Sequence, residues 1–492
     1  MRLRELLLRL PGAELRGDPD TSVSEVTHDS RRTAPGTLFV AIQGQATDGN
    51  QFVEAARRKG AVAVCSQQEP RGEGAWVRVA DAREALAVLS AAVLGDPALA
   101  LDLVGVTGTN GKTTTSYLVD AAVRAAGESC GLVGTVEYRV GNRVAESVRT
   151  TPESSDLQAL FREMKDAGCR RAVLEVSSHS LALKRVYGLA FKVAAFTNLT
   201  RDHLDFHGDM DGYFAAKRTL FDSLLREDGH AILNLDDDRA QELRKASRAA
   251  VWTYSISQPA ADLFAEDVRL TLDGTRFLAR TPQGALAIET PLLGLFNVQN
   301  TLAALGSALA LGLPPEAVQR GITGLRGVPG RMERIVAGQD FTVIVDYAHT
   351  DDALKNLLET VRGLRPRRVI TLFGCGGDRD RSKRPLMGTV AARLSDVVVL
   401  TSDNPRSEPP EAIIDEIRRG IPAARAADTL VLPDRREALA RALELGREGD
   451  VVVLAGKGHE GYQVLRDRSV PFDDRQLARE TLARIVGSRG RR

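Results

Sequence analysis

The heptapeptide Gly108-Thr-Asn-Gly-Lys-Thr-Thr114 sits between an apolar run, LDLVGVTG (101–108), and the helix-forming stretch TTSYLVDAAVRAAG. That order confines the segment to a strand, a tight glycine loop and a helix opened by the loop. Glycines let the backbone wrap close to a phosphate, and the helix start supplies N–H donors and the positive end of its dipole. In such a loop Lys112 contacts the terminal phosphates of a nucleotide, and the Thr113 hydroxyl is a ligand for Mg²⁺. Gly108, Thr109, Asn110, Gly111 and Thr114 complete the candidate cradle. Position 106 is valine where the usual phosphate-binding loop has glycine, so the loop is a variant.

A chain of 492 residues exceeds what one core supports and predicts about three domains. Residues 1–98 mix short strands such as TLFVAI (37–42) and AVAVCS (61–66) with helices, ending at the breaker GDPALA (95–100). Residues 99–329 carry the glycine loop. Residues 330–492 repeat an apolar strand, a polar or glycine-rich loop and a helix, with strands in FTVIVDYAH (341–349), RVITLFGCGG (369–377), DVVVLTSDN (396–404) and DVVVLAGKG (450–458). Near-continuous apolar strands alternating with helices indicate parallel sheets covered on both faces. The expected fold is therefore α/β in three domains, with a central P-loop-type parallel sheet and a C-terminal Rossmann-like sheet. Ligands bind beyond the carboxyl ends of such strands, so informative residues should follow each strand. The tail GSRGRR (487–492) reads as unstructured.

Lys+Arg (66) almost cancels Asp+Glu (65), which leaves no global field toward nucleic acid or membrane. Cys65, Cys130, Cys169 and Cys375 are scattered without metal spacing, as expected of buried thiols in a reducing compartment. MRLRELLLRLPG is interrupted by charges and reads as an amphipathic helix, not a signal peptide. The apolar runs near 85–95 and 301–313 fall short of the ~20 residues that span a bilayer. These features predict a soluble cytoplasmic protein; small-molecule substrates and a monomer are the expected partners and state, although the sequence does not give the oligomeric state.

A second strand, in RRAVLEVSSHS (170–180), ends in Glu175, a carboxylate placed like the acidic partner of a P-loop and able to hold Mg²⁺. FTNLTRDHLDFHG (196–208) then gathers Asp202, His203, Asp205 and His207 after another strand. The His203–His207 spacing also fits a zinc pair, and a satisfied structural histidine is the plainer reading of His207.

Taken together, GTNGKTT (108–114), EVSSHSL (175–181), TNLTRDHLDFHGDMDGYFAAKRTLF (197–221), LLGLFNVQNTLAAL (292–305), GRME (330–333) and DYAHTDDAL (346–354) resemble the Mur ligase family. Val106 is also what that family's loop has. The resemblance implies an ATP-dependent, amide-forming ligase that activates a carboxylate as an acyl phosphate. It makes Lys112, Glu175, His203 and Lys217 catalytic. Thr113, Glu175, His203 and Lys217 would be Mg²⁺ ligands, Lys217 after carbamylation by CO2. Asn297 and Asp346 would contact the nucleoside and Arg331 the phosphates.

THDSR (27–31) resembles the uridine-diphosphate site of the branch that adds the third residue of the peptidoglycan peptide. It implicates Ser30, with Gln45, Ala46 and Thr47 following a Gly44 turn. RTTPES (149–154) would set Thr150 and Thr151 on the muramoyl-peptide, with Ser177 and Arg185 nearby. Arg149 and Leu183 depart from the asparagine and glutamine common there.

In the third block, GGDRDRSKRPLM (376–387), SDNPRSE (402–408) and GKGHEGYQ (456–463) place charges suited to a zwitterion at successive strand ends. Arg379 and Arg406 suit carboxylates and Glu460 an ammonium, while the family site adds Asp403, Asn404, Pro405 and Gly456. DNPR resembles the meso-diaminopimelate-adding enzymes, with L-lysine or L-ornithine as the alternative amine. A folate polyglutamate ligase and a nucleotide-gated binding module or motor NTPase are the competing readings. THDSR and DNPR argue against the first, and the third-block charges against the second.

Overall fold

The computed structural model describes residues 1–44 and 47–489 and contains three principal sheets. The first is built from Glu25–Thr27, Thr37–Val40, Ala63–Ser66 and Ala75–Arg78 in parallel, with Glu14–Arg16 antiparallel at the edge. The helix Ala82–Val93 starts at Asp81, whose carboxylate accepts from the Arg83 and Glu84 N–H groups at 2.8 and 3.1 Å, an N-cap of the usual kind. It buries Ala85, Leu86 and Leu89 in the same core as Leu3 and Leu6 of the short N-terminal helix Leu3–Leu7.

The second sheet has eleven strands. Its parallel part holds Asp102–Thr107 between Phe191–Phe196 and Arg171–Glu175. The loops leaving these three strands converge on one edge, where ligands of open α/β sheets bind. The expected parallel sheet forms the centre, and antiparallel strands that the sequence expectation did not include extend it at both sides. Glu137–Val140 and Arg143–Glu146 extend one side as an antiparallel meander, and Gly274–Thr281 and Gly284–Thr290 extend the other. The second pair alternates buried and exposed side chains, which suits strands with one wet face.

The third sheet brings Thr342–Asp346, Val451–Ala455, Val369–Phe373 and Val397–Leu400 side by side in parallel. Glu333–Ile335 joins one edge antiparallel and Thr429–Val431 the other in parallel. The C-terminal helix Asp474–Arg489 corrects the reading of the tail: residues 487–489 are helical. Leu477, Ala478 and Leu482 anchor this helix in the third core, and propagation costs little once a helix is anchored.

At its start, Asp474 accepts from Arg435 Nε and Nη2 at 2.9 and 2.6 Å, with both side chains wholly buried. Arg435 also donates to the Ala455 carbonyl at 3.0 Å, at the end of a strand that leads into the candidate site. Asp474→Ala strands a buried guanidinium and is expected to cost about 3–5 kcal/mol. Denaturant unfolding measures this, and a loss below about 1 kcal/mol, the scale of an ordinary substitution, would show that the pair stabilises little.

All four cysteines are buried, Cys65 in the first domain, Cys130 and Cys169 in the second and Cys375 in the third. Burial pushes the Cys65 and Cys375 thiols up to about 12 and Cys130 well above its ordinary value. Among the described residues, no helix is long and apolar enough to cross a membrane.

Candidate active site

Gly108 and Gly111 adopt φ of 147° and 88°, where L side chains are strained. There is no room for one either: a Cβ would meet Thr197 Oγ1 at 1.9 Å from Gly108 and Asn300 Oδ1 at 2.2 Å from Gly111. The loop delivers Lys112 to the first position of the helix Lys112–Ala125. The Lys112 Nζ donates to the Gly108 and Thr109 carbonyls at 2.9 and 2.8 Å. Burial lowers its pKa, against the pull of Glu175 and Asp202.

Glu175 ends its strand as expected and is buried. Its carboxylate accepts from Thr113 Oγ1 at 3.0 Å, Thr135 Oγ1 at 2.9 Å and the Thr135 N–H at 2.8 Å. Thr135 had no signal in the sequence, because it arrives from a loop that only the fold sets beside Glu175.

Lys217 is buried on the helix Met210–Asp222, with Nζ donating to the Gly108 carbonyl at 2.8 Å and lying 4.4 Å from the centre of the Tyr213 ring. Burial lowers its pKa well below the ordinary value, and Lys112 lowers it further. His203 has φ of 54° and its Nε2 lies 3.4 Å from Asp202 Oδ2. His179, His203 and His207 form a ring cluster with centroids 4.7 and 5.4 Å from His179, and burial lowers each to about 4. His207 Nε2 is 3.0 Å from Ser178 Oγ, the satisfied structural histidine of the plainer reading. Among the described residues, no three His, Cys, Asp or Glu side chains converge as a metal cage.

A cavity of about 520 Å³ opens over the loop, walled by the central domain and by residues from Arg331 to Leu357 of the third. Arg331 donates through Nη2 to Thr113 Oγ1 at 3.2 Å, its guanidinium carbon 4.6 Å from the centre of the Tyr347 ring. The Arg331 Nε is buried with no partner. Asp346 caps the Met332 and Ala348 N–H groups at 2.7 and 2.8 Å, and burial raises its pKa. Asn297 donates to the Leu293 carbonyl at 2.8 Å and accepts from Asn300 at 3.0 Å. Asn110 and Asp352 join across the cleft at 3.3 Å. Asn300 was legible in principle, three residues beyond Asn297 on one helix face.

Tyr347 connects this cavity to the third-domain charges, its hydroxyl 3.4 Å from Glu460 Oε1. Glu460 Oε2 accepts from Asn404 Nδ2 at 2.9 Å and from Lys457 Nζ at 3.1 Å. Lys457, which the sequence reading passed over, is wholly buried and also reaches Asn404 Oδ1 at 3.0 Å and Asp403 Oδ1 at 3.6 Å. Gly456, φ 109°, leaves space for Asp403, whose Oδ2 a Cβ would meet at 2.7 Å. Pro405 is buried. Arg406 has φ of 51° and donates from Nη1 to the Gly377 carbonyl at 2.8 Å, while Arg379 bonds the Asp378 carbonyl at 2.9 Å. Burial and the neighbouring Arg379 charge lower the pKa of Arg406.

Ser30 lies in the turn after the strand Glu25–Thr27. The Gly44 turn closes on the Thr47 carbonyl at 2.9 Å, and Gln45 and Ala46 lie outside the described residues. Thr150 Oγ1 is 3.0 Å from Thr135 Oγ1, and Thr151 Oγ1 donates to the Glu175 carbonyl at 2.7 Å. Ser177 caps the helix Ser178–Ala182 through the Ser180 N–H. Arg185 is held by Glu153 Oε1 at 2.9 Å and the Thr151 carbonyl at 3.1 Å.

Three family models match in order: "Mur ligase family, catalytic domain" over residues 22–94, "Mur ligase middle domain" over 106–308, and "Mur ligase, glutamate ligase domain" over 330–458. The chain belongs to the Mur ligase family. Within it, the chain is 50% identical to the UDP-N-acetylmuramoyl-L-alanyl-D-glutamate--2,6-diaminopimelate ligase of Solibacter usitatus, with 98% of each protein covered. It is 48% identical to the enzyme of the same name from Gloeobacter violaceus, again with 98% of each covered. A solved structure of a ligase with that name superposes with a TM-score of 0.71 at 34% identity, covering 99% of both chains. The folylpolyglutamate synthase of Mycobacterium tuberculosis shares the fold at 20% identity, with a TM-score of 0.61 over 75% of this chain and 91% of its own.

Proposed function

We propose that this chain joins meso-diaminopimelate to the D-glutamate of UDP-N-acetylmuramoyl-L-alanyl-D-glutamate, with conversion of ATP to ADP and phosphate, in peptidoglycan synthesis. The observation that carries this reading is the continuity of one cavity from Lys112 to Tyr347, which touches Glu460 of the third-domain charge cluster. The two relatives near half identity along the whole chain bear the same name.

A carboxylate does not acylate an amine until one of its oxygens becomes a leaving group. Transfer of the γ-phosphoryl group forms a carboxyl–phosphate bond and breaks the bond to ADP. The amine nitrogen then attacks the carbonyl carbon, phosphate leaves, and the nitrogen gives up its proton. Lys112 and the N–H groups of its helix hold the phosphates, and Arg331 reaches them from the third domain. Asn297 and Asp346 hold the nucleoside. Ser30, Gln45, Ala46, Thr47, Thr150, Thr151, Ser177 and Arg185 receive the UDP-dipeptide. Arg379, Asp403, Asn404, Pro405, Arg406, Gly456 and Glu460 receive the amino acid. The third domain covers the cleft and excludes water from the acyl phosphate.

Magnesium fits the residues present. A P-loop hydroxyl and one buried carboxylate are hard oxygen donors, the protein's usual share of a Mg²⁺ shell that phosphates complete. Thr113, Glu175, His203 and carbamylated Lys217 would hold it. When bound, it supplies positive charge against that of the transferring phosphoryl group. Boundaries near residues 98 and 329, a monomer and a cytoplasmic location belong to the same reading.

Burial lowers the pKa of the Lys217 amine and so favours the unprotonated form that adds CO2, a step that forms an N–C bond and releases a proton. Lys217→Ala should lower kcat by roughly 10²-fold or more, in the range of a lost electrostatic group, with partial recovery on adding short carboxylates. Wild-type turnover in this variant would remove the carbamate from the account. The reaction itself is tested by product formation: ADP and phosphate should appear only when both UDP-dipeptide and amine are present. Turnover without the amine would point to an NTPase, and activity on a folate to the family's other branch.

A further inference from the structure

Glu153, in the TTPES segment, is the meeting point of three guanidinium groups. Arg185 places Nε and Nη2 at 2.9 Å from Oε1, Arg149 places Nη1 at 3.0 Å from Oε1, and Arg83 places Nη1 at 3.3 Å from Oε2. The three arginines come from separate places in the chain: the first-domain helix, the segment before Thr150 and the loop after the helix Ser178–Ala182. Three cations on one carboxylate leave a local surplus of two positive charges. Asp29 is held by Arg31 and Asp156 by Arg32, while Asp81 and Glu84 share Lys184, so one positive charge of that surplus remains. The crowding is visible in Arg185, whose pKa burial lowers and the charges of Arg149 and Arg83 lower further, against the pull of Glu153.

The surplus lies on the path that the acceptor substrate must take. His28 of the THDSR segment is 3.1 Å from Ser155 Oγ, two residues from Glu153, on the first-domain side. On the other side Thr150 leads through Thr135 to Glu175 and Thr113. A chain from the uridine end to the phosphoryl-transfer end therefore passes the cluster.

The three arginines are not equally free. Arg185 spends its donors on Glu153 and on the Thr151 carbonyl, and Arg83 on Glu153 and the Leu183 and Gln43 carbonyls at 3.5 and 3.2 Å. Their side chains are 13% and 17% exposed, against 53% for Arg149, which contacts Glu153 through Nη1 alone. A guanidinium carries five N–H donors, so Arg149 retains an edge for a second carboxylate.

We propose that Arg149 is a specificity-determining residue that binds the carboxylate of the substrate's D-glutamate that does not react, while Glu153 holds Arg149 and Arg185 in place. This rests on the reaction proposed above. A terminal D-glutamate joined through its amine carries two carboxylates, and the one left over after activation is an anion beside a cationic surplus. Glu153 is a positioning residue here and does not touch substrate.

The test crosses two substitutions. Steady-state kinetics are measured for UDP-N-acetylmuramoyl-L-alanyl-D-glutamate and for its analogue with the non-reacting carboxylate converted to a carboxamide. Wild type, Arg149→Ala and Arg149→Gln are compared. A charge-assisted contact predicts that wild type loses roughly 10–10²-fold in kcat/KM on the amide, mainly through KM. Both variants should lose a similar factor on the native substrate and little more on the amide, with KM for ATP and for diaminopimelate unchanged. An unchanged KM for ATP also establishes that the variants are folded. The inference is overturned if the variants use the native substrate as wild type does, or if the amide costs all three proteins equally. Failure of wild type to make any amide-bond product from the native substrate would instead overturn the proposed reaction, and this inference with it.

Discussion

Lys112→Ala is expected to give a folded protein that makes no measurable acyl phosphate, a fall in kcat of at least roughly 10³-fold. The side chain touches the loop carbonyls of Gly108 and Thr109 and packs into no apolar core, so its loss leaves the framework intact. Two of its three N–H donors are spent on those carbonyls, and the third is free for a phosphate oxygen. Burial lowers its pKa, and a bound polyphosphate would raise it again by favouring the charged form. The measurement is rapid-quench detection of the acyl phosphate beside a thermal melt. Near-wild-type turnover with normal ATP affinity would remove the phosphate-binding role of this lysine.

The second large effect is in the choice of amine. Diaminopimelate carries one more carboxylate than lysine or ornithine, and Arg406 stands ready for it. Its backbone is held at φ 51° by its own N–H on the Val464 carbonyl at 3.1 Å and by Nη1 on Gly377. Strain of that kind persists only where the surroundings over-determine it. Half burial and the adjacent Arg379 charge make Arg406 a costly cation until an anion arrives. Sites built around such a group reject analogues lacking it by roughly 10⁴-fold. Glu460, fixed by Asn404, Lys457 and Tyr347, is the carboxylate proposed to receive the distal ammonium. Wild type should therefore favour meso-diaminopimelate over lysine and ornithine in kcat/KM, and Arg406→Ala should collapse that preference. A preference for lysine or ornithine in wild type, or an unchanged preference in the variant, would show that this arginine does not select the substrate.

The parts legible in the sequence are those whose chemistry is local. A strand, a glycine loop and a helix start are contiguous, so Gly108–Thr114 could be placed without the fold. Four of the six third-sheet strands are visible as apolar runs, and residues after them touch: Tyr347 and Asn404 meet at Glu460, and Arg406 reaches the Gly377 carbonyl. The edge strands Glu333–Ile335 and Thr429–Val431 are only three residues long and too short to form a pattern. The antiparallel extension at Gly274–Thr281 is legible in the alternation of GTRFLART and in the turn Asp273-Gly274, yet a search for buried parallel strands passes over it. Thr135 and Lys457 act through partners distant in sequence or through depth of burial, which composition does not disclose. Arg149 and Leu183 stood out as departures. The structure supplies a contact for each: Glu153 for Arg149 and, through its backbone carbonyl, Arg83 for Leu183.

The sealed cysteines make the folded protein its own blank for thiol chemistry. With Cys65 in the first domain, Cys130 and Cys169 in the central one and Cys375 in the third, each domain carries a reporter that reacts only when the packing around it opens. Alkylation followed by peptide mass mapping would then time the opening of each domain separately in one untagged sample. The effect of ATP, UDP-dipeptide or amine on three clocks could be compared without introducing a foreign label.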